Sequence, residues 1–189
     1  MAQQKYQTRT ECNSRVTSNR IIQLGYRRLP VWAPPFTRPP TTREVTGING
    51  VVRVGPKDDS PILVNTTVAK QVLETSHPPT WYFPKESVNM KLLRCLHSES
   101  TFCEFKGSAV YYDVLEDAGS SEVVSHNAAW TYPNTNAPIK GMFAMYLRDG
   151  ITATVDGDTV KPQEGDFYGG WITSTVVGPS KGGPGTRMW

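Results

Sequence analysis

Cysteine is scarce in this sequence. Three of the 189 residues are cysteines, Cys12, Cys95 and Cys103, whereas an extracellular disulfide framework normally uses a larger and even number. Structural zinc sites commonly use pairs of cysteines separated by two residues, and the sequence has no such pair. We therefore expect a reducing intracellular compartment, no structural zinc, no other metal site and no cofactor.

Long apolar runs are also absent, and hydrophobic residues make up only 38% of the chain. No stretch approaches the ~20 consecutive apolar residues of a membrane-spanning helix. Residues 1–30 lack the apolar segment of a secretory signal. We expect neither a transmembrane segment nor a cleaved signal.

Charge is unevenly distributed along the chain. Residues 1–48 include eight basic and two acidic side chains, and the remainder has 12 basic and 15 acidic ones. Residues 1–48 also contain five prolines interleaved with aromatic residues, which favours an extended, polyproline-like arm. We expect this arm to bind a partner through basic and aromatic side chains, namely Arg20, Tyr26, Arg27, Arg28, Trp32, Phe36 and Arg38.

Two kinds of partner suit such an arm. Arginines interleaved with aromatic residues can bind phosphates and stacked bases. The positive charge is spread along the whole arm, however, and no recognised nucleic-acid-binding module follows it. We therefore expect a larger protein assembly with an acidic surface, rather than nucleic acid, as the partner.

Residues 49–163 have the patterns of a β-rich domain. Residues 51–54 and 62–64 flank the turn sequence GPKDDSP and predict a pair of strands. Residues 66–75 begin with a threonine suited to N-capping and space their apolar residues on one helical face, which predicts a helix. TWYF, from residue 80, predicts a short strand, and ESVNMKLL predicts one or two helical turns.

The pattern changes to successive strands after residue 100. TFCEF, SAVYYDV, EVVSHNAAW and KGMFAMYL have the lengths and intervening turns of an antiparallel meander. Asp156 and Gly157 predict a tight hairpin between TATV and DTV. Residues 164–189 predict an irregular, glycine-rich tail that packs through Trp171 and Trp189 or docks on a partner.

The tail contains GPSKGGPGT, which superficially resembles a phosphate-binding loop. Such a loop has its lysine directly after the last glycine and is followed by a helix. Here Lys181 precedes Gly182, Pro184 interrupts the segment and no helical pattern follows. We therefore expect no phosphate loop.

Cys103 and Lys106 form the most suggestive chemical cluster. A nearby lysine can favour the reactive thiolate of a cysteine. Strand residues three apart point to opposite faces, so a turn at Gly107 would have to bring the two together. We favour a structural cysteine at a strand end and expect no catalytic residue.

Two alternatives to a purely structural role stay open. His77, His97 and His126 could each act as a base for Cys103, and nothing in their spacing selects one. Aromatic residues with a few polar groups are typical of ligand pockets and equally of cores. The residues concerned are Trp81, Tyr82, Tyr111, Tyr112, Trp130 and Tyr132, with Lys106 and Asn127.

Four ordered motifs give the sequence a specific resemblance. They are HPPTWYFPKESVNMKLL (77–93), STFCEFKGSAVYYDV (100–114), NAAWTYP (127–133) and IKGMFAMY (139–146). Together they resemble the domain-of-unknown-function family numbered 427. The resemblance implies a mainly β fold of the β-tent type, with antiparallel sheets that meet like a tent and one or two short helices. It implies no established activity.

The family's motif residues fall on five positions of a candidate pocket, Tyr82, Cys103, Lys106, Asn127 and Trp130. The family usually has proline and tyrosine after the cysteine, where this chain has Glu104 and Phe105. The resemblance therefore implies that this chain has lost a hydroxyl group and gained a carboxylate there.

The tail is similar to the C-terminal extension of family members from cyanobacteria and photosynthetic eukaryotes. We hypothesise a non-enzymatic accessory or structural protein whose arm and β domain bind a larger protein assembly, such as an antenna or photosystem complex. Its compartment would be the cytoplasm or the plastid stroma. The alternative is a small-molecule-binding module or enzyme that uses the aromatic pocket near Cys103 and Lys106.

Overall fold

A computed structural model of the chain describes residues 22–23, 40–165 and 167–187. Within these residues the structure is mainly β, and its helices are the two single 3₁₀ turns η1 (Lys85–Ser87) and η2 (Met90–Leu92), where ESVNMKLL predicted helical turns. In chain order the strands are β1 (Ile22–Gln23), β2 (Thr41–Val54), β3 (Ile62–Leu73), β4 (Thr80–Tyr82), β5 (Leu93–Leu96), β6 (Phe102–Cys103), β7 (Gly107–Ser108), β8 (Val110–Leu115), β9 (Val123–Thr131), β10 (Phe143–Met145), β11 (Ile151–Val155), β12 (Asp158–Thr159), β13 (Lys161–Pro162), β14 (Trp171–Ile172) and β15 (Val176–Val177).

A five-stranded antiparallel sheet has the order β12–β11–β2–β3–β4. The hairpin of β2 and β3 confirms the strand pair predicted around GPKDDSP. The hairpin of β11 and β12 is confirmed as well. Its turn residues Asp156 and Gly157 have φ angles of +52° and +85°, which suit the backbone of a two-residue hairpin loop.

The helix predicted for residues 66–75 is wrong, because this segment belongs to β3. Ten residue pairs align β3 with β2, from Thr41–Leu73 to Arg53–Ile62. Val68, which the helical interpretation put on the apolar face, is exposed, whereas Ala69 is buried. The segment is rich in β-branched residues, which favour a pleated surface, and pairing on both sides of β3 prevails over the helical spacing.

The first long strand begins within the predicted arm. Residues 41–46 of β2 pair with residues 68–73 of β3 in regular register, and Val45 and Ile48 are buried in the core. Residues 41–48 are therefore part of the sheet rather than of an extended arm.

A four-stranded antiparallel sheet has the order β10–β9–β8–β5. The strands β8, β9 and β10 follow each other in the chain and in the sheet, which confirms the predicted meander for SAVYYDV, EVVSHNAAW and KGMFAMYL. The prediction is wrong for TFCEF, whose β6 pairs with β7 instead. The β6–β7 hairpin forms a separate two-stranded ribbon beside it.

The two large sheets meet at Phe83 and Phe143. The backbone N–H of Phe83 donates to the carbonyl of Phe143 at 2.7 Å, and the reverse bond is 2.9 Å long. Phe83 follows β4, the edge of the first sheet, and Phe143 begins β10, the edge of the second. The sheets therefore join along one edge, and buried residues from both, including Leu63, Val114 and Met145, form a common core.

The C-terminal segment also contributes to the core. Trp171 is buried, its ring stacks at 5.9 Å on that of Trp81, and its indole N–H donates to the carbonyl of Met145 at 3.1 Å. The predicted packing of the tail through Trp171 is thus present, while Trp189 lies outside the described residues. This segment returns to the face of the molecule that carries the motif residues.

Candidate functional site

A cavity of about 750 Å³ lies where the end of β3, the β6–β7 hairpin, β9 and the C-terminal segment come together. Its walls include side chains from widely separated parts of the sequence. Among them are all five residues of the candidate pocket, Tyr82, Cys103, Lys106, Asn127 and Trp130.

The β6–β7 hairpin brings Cys103 and Lys106 to the same cavity. Cys103 pairs with Gly107, whose φ of +84° lies in the left-handed region that glycine adopts without strain. The chain reverses direction between Cys103 and Gly107. Cys103 and Lys106 therefore do not lie on one continuous strand, and the rule that residues three apart point to opposite faces does not apply to them. Both line the cavity.

Lys106 has an acidic partner. Its Nζ lies 3.0 Å from Oε2 of Glu74, the residue just after β3, and the lysine side chain is 10% exposed. An ion pair at this depth is screened less by water than a surface pair. Glu74 was not singled out from the sequence, because nothing in its local pattern connects it with so distant a position in the chain.

The structure separates the three histidines. His77 lines the cavity, and its Nδ1 lies 2.5 Å from the carbonyl oxygen of Pro78, so Nδ1 carries the proton and donates it in this bond. His97 lies beside the thiol of Cys95, and His126 contacts the carboxylate of Asp113. Among the described residues, Cys103 is a free, half-buried thiol with no hydrogen bond to a histidine.

Glu104 and Phe105 occupy the tip of the hairpin. Phe105 is 38% exposed, Glu104 is exposed, and neither belongs to the cavity wall. The departure from the family's proline and tyrosine therefore alters the tip, and the hydroxyl that is lost there leaves the wall of this cavity unchanged.

Aromatic rings form the apolar part of the wall. The ring of Trp130 lies 4.5 Å from that of Tyr146 and edge-on to that of Tyr82, and its indole N–H donates to the Tyr82 hydroxyl at 3.4 Å. The ring of Tyr132 lies 6.5 Å from that of Tyr82. Burial raises the pKa of both Tyr82 and Tyr132, so these phenols stay neutral over the physiological range.

A bulge in β9 positions Asn127. The register between β8 and β9 shifts between Tyr112 and Val114, so that Asp113 faces three residues of β9, 126–128. Asn127 has a φ of +53°, a left-handed conformation that asparagine tolerates better than most residues. Bulges of this kind redirect side chains out of the regular alternation, and here Asn127 lines the cavity.

The carboxylate of Asp113 stabilises the bulge. Oδ1 accepts the backbone N–H of Asn127 at 3.1 Å and contacts Nδ1 of His126 at 3.2 Å, while Oδ2 accepts Nη2 of Arg94 at 2.8 Å. Burial alone raises the pKa of a carboxyl, but these hydrogen bonds outweigh it and hold the pKa of Asp113 below its ordinary value. The carboxylate therefore stays ionised.

Arg148 holds the bulge from the opposite side. Its Nη2 donates to the carbonyls of His126 at 2.6 Å and Asn127 at 3.3 Å. The Asn127 amide in turn donates to Oε2 of Glu99 at 2.6 Å. Its Oδ1 is buried and has no hydrogen-bond partner among the described residues.

The other end of the cavity combines Glu74, His77, Lys106 and Lys181. Lys181 comes from the C-terminal segment, and its Nζ lies 4.6 Å from the centre of the Tyr168 ring. Burial lowers the pKa of His77 to about 4, so its imidazole is neutral at pH 7. Burial also lowers the pKa of Lys181, although Glu74 raises it, and Lys106 adds a smaller lowering effect. In the sequence, Lys181 stands out only through its glycine neighbours, in a segment that superficially resembles a phosphate-binding loop.

Several predicted features cannot be placed. The arm residues Arg20, Tyr26, Arg27, Arg28, Trp32, Phe36 and Arg38 lie outside the described residues, and their role stays a prediction. Within the part of the chain that the structure describes, no three His, Cys, Asp or Glu side chains are grouped to hold a metal ion. The helices described there are too short to cross a membrane.

Comparison with known families matches this architecture. The sequence profile of the domain of unknown function DUF427 matches residues 42–160, which include both large sheets. The chain belongs to this family. No curated protein matches the chain. Phe167, Tyr168, Gly169 and Lys181 of the cavity wall lie beyond the part of the chain that matches the DUF427 profile.

Proposed function

We propose that this DUF427 protein is a small-molecule-binding module whose ligand occupies the cavity. The observation that carries the proposal is the convergence of the five motif residues on one cavity of about 750 Å³. This volume falls within the range of sites that take cofactors and small organic molecules. Aromatic rings with a few polar groups are the usual lining of such sites.

The polar groups at the wall support binding in a preformed site. Asn127 is fixed by hydrogen bonds on both sides of its bulge, while its Oδ1 has no partner among the described residues. A preformed wall reduces the entropy lost on binding.

Binding without catalysis fits the side-chain contacts best. A nucleophilic cysteine needs a base or a cation close to its sulfur. The proton on Nδ1 of His77 is bonded to Pro78, and the ammonium of Lys106 is bonded to Glu74. The ammonium of Lys106 is thus engaged with Glu74, and among the described residues the thiol of Cys103 has no hydrogen bond to His77.

Thiol protection tests the proposal with a built-in control. N-phenyl-1-naphthylamine, an uncharged fluorescent probe, is titrated into the full chain, and alkylation of each cysteine is followed by peptide mass spectrometry. We expect saturable binding with one probe per chain and protection of Cys103, which lines the cavity. Cys95 is likewise half-buried but lies outside the cavity, so its alkylation rate should not change.

Two results would overturn the proposal. One is the absence of saturable binding. The other is equal protection of Cys95 and Cys103, which would indicate that the probe acts on the whole fold instead of the cavity. A Cys103→Trp variant, with a ring placed in the cavity, should lose probe binding while Phe105→Ala at the exposed hairpin tip retains it.

The charge asymmetry of the sequence favours a second candidate function. We infer that residues 1–39 bind an acidic surface of a larger protein assembly, such as an antenna or photosystem complex, in a reducing compartment such as the cytoplasm or plastid stroma. The positive excess of residues 1–48 supports it, as do two free cysteines among the described residues. Co-purification of the intact chain and of a chain without residues 1–39 tests it. If both elute as free monomers, the inference is wrong.

A further inference from the structure

We propose that the ligand is an organic anion with a flat apolar body, and that Lys181 of the C-terminal segment binds its anionic group. This inference rests on the proposed function, because it specifies the ligand of the same cavity. The argument combines the position of Lys181, the balance of charge at its end of the cavity, and the aromatic wall opposite.

The backbone of Lys181 is fixed against the first sheet. Its N–H donates to the carbonyl of Ser76 at 2.9 Å, and its carbonyl accepts Nε2 of Gln163 at 2.7 Å. The other end of the Gln163 amide accepts the N–H of Gly170 at 3.1 Å, and Gln163 is 3% exposed. One buried glutamine thus holds two stretches of the C-terminal segment in place beside the cavity.

The side chain of Lys181 is placed by an aromatic contact. Its ammonium lies over the ring of Tyr168, which packs edge-on against His77 at 5.2 Å. The backbone next to Tyr168 is held by the hydroxyl of Tyr146, which donates to the carbonyl of Phe167 at 3.0 Å. A cation held on a ring keeps its charge and its remaining donors available for an anion.

Positive charge is in excess at this end of the cavity. Within the described part of the chain, Glu74 is the one carboxylate that lines this end, and it is bonded to Lys106. No carboxylate among the described residues forms an ion pair with Lys181. His77 contributes no charge at pH 7. The lowered pKa of Lys181 agrees with an ammonium that is partly desolvated, an effect that the attraction of Glu74 opposes and the nearby Lys106 reinforces.

The remaining charged groups of the wall do not remove this excess. Glu99 accepts the amide of Asn127, and Arg148 is engaged with backbone carbonyls and lies 3.8 Å from Asp149. A carboxylate, sulfonate or phosphate placed beside Lys181 would satisfy it with a charge-assisted hydrogen bond, the strongest kind available at such a site. The rings of Tyr82 and Trp130 would then cover the rest of the ligand.

The selectivity for anions comes from residues after position 160. The match to DUF427 ends at residue 160, and Lys181 and Tyr168 follow it. The domain common to the family therefore provides the aromatic wall, and the segment after it adds a cation that forms no ion pair with the carboxylates the structure describes.

A matched pair of probes tests the inference. 8-Anilinonaphthalene-1-sulfonate differs from N-phenyl-1-naphthylamine by one sulfonate group, and both are titrated into the full chain by fluorescence. We expect the sulfonate to bind at least about tenfold more tightly, as one charge-assisted hydrogen bond implies. Lys181→Gln and Lys181→Met should each abolish this preference while leaving the affinity for the uncharged probe within about twofold.

A control variant and competitors complete the experiment. Lys85→Gln, at an exposed lysine of η1 outside the cavity, should change neither affinity. Naphthalene-1-acetate and 1-naphthyl phosphate, added as competitors of the sulfonate, show whether the anionic group that binds best is a carboxylate or a phosphate. Circular dichroism of each variant confirms that it is folded.

The possible failures are distinguishable. If neither probe binds, the proposed function is wrong, and this inference with it. If the uncharged probe binds in the cavity and the sulfonate binds no more tightly, the cavity is a ligand site but the inference on charge is wrong. If the preference persists in Lys181→Gln and disappears in Lys106→Gln, a residue other than Lys181 binds the anion, and the inference is overturned.

Discussion

The carboxylate of Asp113 accepts the backbone N–H of Asn127 at 3.1 Å. This bond lies within the bulge, where strands β8 and β9 fall out of register. The carboxylate thereby substitutes for the carbonyl that a regular ladder would offer to this N–H group. A side chain of one strand thus determines the backbone conformation at a cavity-lining residue of the next.

Asp113→Asn should destabilise the protein by about 3 kcal/mol, since a buried carboxylate with three donors is replaced by an amide that can satisfy only some of them. Urea denaturation measures the free energy of unfolding. Asp59→Asn, at an exposed loop carboxylate, is the control and should change it by less than about 0.5 kcal/mol. Equal stability of the two variants would contradict the role assigned to Asp113.

Replacement of Asn127 by glycine should be less harmful than replacement by alanine, by about 1 kcal/mol in the free energy of unfolding. The reason is the φ of +53° at this position, which glycine adopts freely and alanine does not. Asn65 is an exposed residue of β3 without positive φ, and there the order should reverse, with alanine the better substitute. Chemical denaturation of the four variants measures both differences, and the same order at both positions would argue against the bulge.

His77 should make the protein less stable as the pH falls from 7 towards 4. Its pKa is lowered from 6.5 to about 4 in the folded state, so between these values the unfolded chain binds more protons, and stability rises with pH. The full difference is about 3 kcal/mol. Denaturation at pH 7 and pH 5 should show a decline in the original protein that the His77→Gln variant does not reproduce.

Asp113 does not contribute to the change in stability between pH 7 and pH 5. Its pKa is lowered below 3.8, so its contribution to stability is present at pH 5 and is lost only as the pH falls through its folded-state pKa. An equally large decline in His77→Gln would therefore show that the pH dependence has another origin.

Gln163→Leu should cost about 2–3 kcal/mol of stability, because it leaves the N–H of Gly170 and the carbonyl of Lys181 without their side-chain partner. Gln71→Leu is the matched control. Gln71 is equally buried, but its Oε1 has no hydrogen-bond partner among the described residues, so the change should cost less. Thermal denaturation of both variants measures the difference, and equal losses would contradict the anchoring role.

Features encoded locally could be predicted from the sequence. The hairpin at Asp156–Gly157 and the meander depend on turn residues and alternation over short stretches, and both are present. The helix predicted around Val68 and Val72 failed because the spacing of apolar residues fits either period, and only pairing with β2 and β4 decides between them. Such pairing involves residues that are distant in sequence.

The sequence motifs predicted only part of the candidate site. Cys103, Lys106 and Asn127 line one cavity, but Glu74 and Lys181 reach it through the path of the chain after β3 and after β14, which no local pattern reveals. The bulge at Asn127 was equally hidden, since its cause, Asp113, lies on another strand.

The burial of Trp171 has a consequence for cooperativity. This residue packs in the common core, ten positions before Lys181, so the C-terminal segment cannot detach without opening the interior. Amide protons near Lys181 should therefore exchange with solvent at rates close to those of the core strands, as members of one cooperative unit. Lys181, the residue proposed to bind an anion, would then reach its position only when the core around Trp171 has formed.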